Sequence, residues 1–171
     1  TTCCDVLGAL YDQKADFARI FSGYAPTYGD IAAGLTFERE LSQSISNELN
    51  ENKQYSMIIG ASGVGKTTLC RQILARLSKA GLYCWEHNVD APFLHEEWVD
   101  IATRLKRIGK FGCLLVDDAH VHLPKINLLV ENLASNDNKN LKVVLASAKN
   151  HWRPRVKNAS LFKEGAVYEV S

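Results

Sequence analysis

Residues 60–67, Gly-Ala-Ser-Gly-Val-Gly-Lys-Thr, fit the pattern GxxxxGK[ST], and the short apolar run Met57-Ile-Ile59 stands directly before them. That order, apolar strand, glycine-rich turn, then a helix opening on Lys-Thr, is what a phosphate-cradling loop requires. Gly60, Gly63 and Gly65 let backbone N–H groups converge where a side chain at Cβ would block the approach, and the helix opening at Lys66 adds the positive end of its dipole. The intervening Ala61, Ser62 and Val64 and the following Thr68 complete the expected nucleotide contacts. Lys66 is expected to reach the β- and γ-phosphates as a point charge, and the Thr67 hydroxyl to take one position on Mg²⁺.

Around that loop the chain alternates strand and helix. Strands are predicted over 55–60, 82–87, 113–116, 141–147 and 166–170, with helices over 66–80 and 95–108 and another from about Pro124. The run Cys113-Leu-Leu-Val116 is apolar throughout, as in a strand buried on both faces. Ahead of the first strand, Phe37, Leu41, Ile45 and Leu49 recur every four residues, with Thr36 placed to cap a helix and Glu38 and Glu40 in its first turn. A more blurred helix is read over 4–21, interrupted by Gly8, and a connecting loop over 22–34. The division expected is an N-terminal helix and linker over 1–35 and a nucleotide-binding core over 36–171.

A cradle alone binds nucleotide; hydrolysis needs a second group to hold Mg²⁺ and orient water. Cys113-Leu-Leu-Val-Asp117-Asp118 supplies it as an apolar strand ending in paired acids, the Walker B arrangement, with Asp117 as metal ligand and Asp118 as the group that polarises water. Paired acids imply a three-layer α/β/α P-loop NTPase with a five-stranded parallel sheet. Counting from the strand that feeds the loop, the expected order is 5-1-4-3-2, with 141–147 inserted between the loop strand and the acidic strand. Ser147, Lys149 and Asn150 then become candidates to sense the terminal phosphate, and Arg153 and Arg155 candidates for phosphate contacts, with a basic surface turn as the plainer reading. His120 and His122 lack Cys or further His at ligand spacing and are read as loop residues, His120 near the nucleotide. Trp85, Trp98 and Trp152 have no basic run beside them and are read as core or interface aromatics. ATP is favoured over GTP, because Asn138-Lys-Asn-Leu141 lacks the Asp of a guanine-reading motif and precedes its strand.

Composition narrows the function classes. The 171 residues, 46% of them apolar, suit one well-filled domain. Twenty basic and nineteen acidic residues leave a formal charge of +1, which does not indicate a nucleic-acid surface. The odd number of cysteines (Cys3, Cys4, Cys70, Cys84, Cys113) points to core thiols in a reducing cytosol. No apolar run approaches the ~20 residues of a membrane span and no secretory leader is read, so the expectation is a soluble cytoplasmic protein. An opening on Thr1 suggests a piece of a longer chain.

With these residues in place the chain resembles the nucleotide-binding domain of STAND-type ATPases, the signal-transducing relatives of AAA+ proteins. The resemblance rests on Phe37-Glu-Arg-Glu40, residues 60–67, Leu114-Leu-Val-Asp-Asp118, Val143-Val-Leu-Ala-Ser147 and Val167-Tyr-Glu-Val170, and spans about 36–171. It implies that Arg39 lies near the adenine and ribose. The family's sensor motif usually ends in Arg, and Lys149 stands near that place here. Residues 21–31 resemble the linker ahead of the ATPase core in bacterial anti-phage defence proteins, several of which carry a sirtuin-like or nuclease effector upstream and repeats downstream. The implied activity is a slow, ATP-controlled conformational switch that changes self-association in the full-length protein, with lid and winged-helix parts expected after Ser171. Alternatives are an ATPase acting on DNA and a small-molecule kinase.

Overall fold

The computed structural model describes residues 3–16, 25–37, 39–151 and 164–171. Its elements run β1 (Cys3–Asp5), α1 (Val6–Asp12), α2 (Tyr28–Ala32), α3 (Glu40–Glu51), β2 (Tyr55–Gly60), α4 (Lys66–Lys79), β3 (Tyr83–His87), α5 (His95–Ile108), β4 (Gly112–Val116), a 3₁₀ turn (Ala119–His122), α6 (Leu123–Ser135), β5 (Leu141–Ala148) and β6 (Gly165–Val170). One sheet holds all six strands in the order β1-β3-β4-β5-β2-β6. Five of them are parallel, and β1 lies antiparallel on β3 with Cys3 opposite His87 and Asp5 opposite Trp85.

The expectation of a five-stranded, all-parallel sheet is therefore corrected to a six-stranded mixed one. The added strand comes from the segment read as helix over 4–21: the chain is extended over Cys3–Asp5, and among the described residues of that segment the helix is Val6–Asp12, where the Asp5 carboxylate caps it by accepting from Leu7 N at 3.1 Å; 17–21 lie outside the described residues. Three residues are too few to show an alternation of period two, so the pattern of the helix that follows dominates. Within 22–34 the loop reading is also corrected. Thr27 and Asp30 form a capping box, each side chain bonded to the other's backbone N–H, and nucleate the five-residue α2.

Two apolar layers sandwich the sheet. Alternation along β4 sends Cys113 and Leu115 to one face, with Leu69, Ile73 and Leu77 of α4 and Ile45 and Leu49 of α3. Leu114 and Val116 face the other side, with Trp98, Ala102 and Leu105 of α5 and Ile126, Leu129 and Leu133 of α6. That burial on both faces is why β2, β4 and β5 read as nearly continuous apolar runs. Val6, Ala9 and Tyr28 of the N-terminal segment join the first layer. Burial pushes up the thiols of Cys70, Cys84 and Cys113, Cys84 to about 12, so all three stay protonated and act as small packing groups. Trp98 is buried, and Trp85 meets it edge-on at 5.6 Å; Trp152 lies outside the described residues.

The helix expected from Phe37 begins later. Phe37 is 92% exposed and α3 opens at Glu40 without a side-chain cap. Gln72 of α4 donates from Nε2 to Thr36 Oγ1 (3.2 Å) and to Phe37 O (3.0 Å), which ties that stretch to α4 and engages the Thr36 hydroxyl. Leu115 is fully buried between the sheet and α4. Leu115→Ala is expected to cost about 2–5 kcal/mol in stability, measured by urea unfolding; a cost within experimental error would contradict this packing.

Candidate functional site

Parallel pairing puts the carboxyl ends of β2, β4 and β5 on one edge, with Gly60 opposite Ala148 and Val116 opposite Leu145. The loop leaves β2 at Gly60 and enters α4 at Lys66. Two glycines here are required, one by space and one by its backbone. A Cβ at Gly60 would stand 2.4 Å from the Val170 carbonyl oxygen, and Gly65 has φ +86° with the Arg39 guanidinium 3.1 Å from where its Cβ would be.

Across the edge, Asp117 follows β4. Thr67 Oγ1 donates to Asp117 Oδ2 at 2.7 Å, joining residues fifty apart in the chain, while Asp117 Oδ1 accepts from the backbone N of Asp118 at 2.9 Å. Asp118 itself stands in the left-handed region, φ 47°, which Asp enters more readily than most residues. This turn leaves Asp117 half-buried and Asp118 exposed at the mouth of a cavity of about 460 Å³ bounded by Ser62, Gly63, Gly65, Lys66, Thr67 and Thr68. Lys66 Nζ donates to the carbonyls of Gly60 (3.0 Å) and Ala61 (2.6 Å), so its ammonium lies against the loop.

The other expected residues divide. Arg39 reaches the loop, donating from its guanidinium to Val64 O at 2.7 Å. Ser147 is buried at the end of β5, and its Oγ is 3.3 Å from His120 Nδ1, while the His120 ring stacks on His151 at 4.3 Å. Lys149 turns aside: its Nζ pairs with Glu169 of β6 at 2.5 Å. Asn150 is exposed, and Arg153 and Arg155 lie outside the described residues. His122 packs against His87 at 5.0 Å instead of facing the loop. Sequence reasoning passed over Arg71 and Glu86, which form an ion pair at 3.0 Å beside Asp117, because neither belongs to a motif.

The family Novel STAND NTPase 5 matches residues 18–160, well over half of the chain. The chain belongs to this family. No curated protein matches it. Solved structures share the fold. PCH-2 of C. elegans aligns at 14% identity and TM-score 0.52, over 77% of this chain and 42% of that one. A closed-state cryo-EM reconstruction of Hsp104 with ATPγS and FITC-casein aligns at 16% identity and TM-score 0.58, over 92% of this chain and 30% of that one. The chain thus spans less than half the length of either relative. The STAND NTPase module has the P-loop fold of AAA+ ATPases. Among the described residues no helix is long and apolar enough to cross a membrane.

Thr67→Val removes the hydroxyl that ties α4 to β4. The expected loss is about 1–2 kcal/mol of stability, for a hydrogen bond to a carboxylate at a half-buried site, measured by denaturant unfolding. An unchanged midpoint would show the contact to be inert.

Proposed function

We propose that this STAND NTPase module binds ATP and Mg²⁺ at residues 60–68, hydrolyses ATP slowly, and serves as a regulatory switch in a larger signalling or defence protein. The observation that carries the reading is the 2.7 Å contact between the Thr67 hydroxyl and the Asp117 carboxylate at the mouth of a loop that leaves β2 at Gly60, where a Cβ would collide with the Val170 carbonyl, and turns through Gly63 and Gly65 at positive φ. Two hard oxygen donors converging on one point are the donor set Mg²⁺ takes, so Thr67 and Asp117 would hold the ion. When bound there, Mg²⁺ neutralises charge on the phosphate oxygens.

The chain's own groups have distinct parts in this scheme. Backbone N–H groups of Ser62, Gly63, Val64 and Gly65 bind phosphate oxygens, aided by the dipole of α4. Lys66 exchanges its carbonyl partners for the β- and γ-phosphates. Asp118, held outward by its left-handed backbone, accepts a hydrogen bond from the attacking water and orients it. Arg39 stiffens the loop through Val64 and borders the nucleotide, and Ser147 with His120 lies at the γ-phosphate end.

We assign residues 36–171 to the NTPase core and 1–35 to a segment docked on it. The output is a change in self-association of the full-length protein, and the role proposed is anti-phage defence, on the likeness of residues 21–31 to the linker of such proteins. Five free thiols fit a cytoplasmic setting.

Lys66→Ala is expected to abolish binding of a fluorescent ATP analogue, whereas Asp118→Asn should retain binding and lose turnover. Equal affinity in wild type and Lys66→Ala would refute the cradle, and undiminished phosphate release by Asp118→Asn would refute the role of that carboxylate.

A further inference from the structure

The cavity over the phosphate cradle has a wall that the loop does not supply. Ala25 and Pro26, from the N-terminal segment, line it beside Lys66, Thr67 and Asp117. A guanidinium keeps them there. Arg71 donates from Nη1 to the Pro26 carbonyl at 2.7 Å, and from Nε and Nη2 to the Glu86 carboxylate at 3.0–3.3 Å. The planar fork of arginine suits this use, since one side chain can grip a carboxylate and still reach a carbonyl. The ion pair is mostly buried, with the two side chains 22% and 11% exposed, so water does not screen it as it screens a surface pair.

Arg71 stands four residues after Thr67 and therefore on the same face of α4. That face is tied to the ends of two neighbouring strands, through Thr67 to Asp117 beyond β4 and through Arg71 to Glu86 of β3. The segment behind Pro26 is fixed on the same arginine. Tyr28 is buried, and the Arg71 guanidinium lies 5.6 Å over its ring. Gln13 Oε1 accepts from Tyr28 N at 2.9 Å, and a Cβ at Gly29 would stand 2.2 Å from the Gln13 carbonyl oxygen, so α2 sits against the end of α1 with no room for a larger residue. A helix of five residues does not hold by itself. Its place depends on these contacts, and Arg71 is the group that carries them through to Pro26.

We propose that Arg71 is a positioning residue for the nucleotide: by holding Ala25 and Pro26 against the cradle it closes the side of the cavity next to Thr67 and Asp117, and nucleotide leaves only when this segment moves. The inference rests on the reading of residues 60–68 as a nucleotide cradle and adds the element that controls exchange. Pro26 acts by its bulk and Arg71 acts through Pro26. A wall at this point keeps water from the paired oxygen donors, where charge interactions gain strength as the site dries.

Stopped-flow displacement of a fluorescent ATP analogue from the protein measures release directly. Arg71→Gln, which cannot grip Glu86 and Pro26 together, is expected to speed release by about tenfold, the scale of one lost charge-assisted hydrogen bond. Because that change also strips Glu86 of its partner, Pro26→Gly is the second variant; it removes the wall, keeps the Arg71–Glu86 pair, and is expected to speed release as well. If both act on one element, the double variant releases no faster than the faster single variant. Hydrogen exchange gives a readout in the wild type: the amides of Tyr28 and Gly29 should exchange more slowly once nucleotide is bound, and this protection should be lost in Arg71→Gln. Failure of the wild type to bind the analogue would overturn the cradle and this inference together. Binding with release unchanged in both variants, effects that multiply in the double variant, or equal exchange at Tyr28 and Gly29 with and without nucleotide would overturn this inference alone.

Discussion

The register of four parallel strands is the constraint on which the rest of this molecule depends. Because β2 is paired on both sides, with Gly60 opposite Ala148 of β5 and opposite Val170 of β6, the backbone has one exit at the sheet's carboxyl edge. The Val170 carbonyl lies so close that only glycine fits there. A slip of one residue would turn Met57 and Ile58 to the wrong layers and bury the loop's first peptide groups. The same register places the end of β4 beside β5, so Asp117 emerges level with the first turn of α4 and meets Thr67. The site follows from the sheet's geometry; the loop residues themselves need only be small, flexible and correctly ordered.

Packing on the two faces keeps that geometry rigid. Each face of β4 contributes to a separate apolar layer, and the loss of either would free the strand that carries the aspartates. The described part of the N-terminal segment packs mainly on one side, with Cys3 touching the other layer. It adds β1 to the outer edge of β3 and lays α1 and α2 over α4, where Gln13 Oε1 accepts from Tyr28 N at 2.9 Å and the Arg71 guanidinium lies 5.6 Å over the Tyr28 ring. Those contacts hold Ala25 and Pro26 at the cradle.

Much of this was legible in the sequence, for physical reasons. The cradle was readable because its glycines, lysine and threonine are needed at fixed spacing. The inner strands were readable because burial on both faces leaves runs such as Cys113-Leu-Leu-Val116 with no polar interruption. Features set by tertiary contact were not. Three residues of β1 carry no period, and α2 is hidden in a stretch rich in glycine, its one local sign being Thr27 and Asp30 at capping-box spacing. Phe37 extended an apolar stripe that the structure interrupts, because Gln72 claims Phe37 O before the helix can begin. Lys149 looked like a sensor from its place after β5, but Glu169 on the neighbouring strand takes its charge, a pairing that depends on sheet order.

The most direct test of the central claim is the affinity for ATP, measured by calorimetry with and without Mg²⁺, in wild type and in Asp117→Ala. If Thr67 and Asp117 together hold the ion, Mg²⁺ tightens ATP binding in the wild type and leaves the variant's affinity unchanged. An equal gain from Mg²⁺ in both proteins would contradict the account.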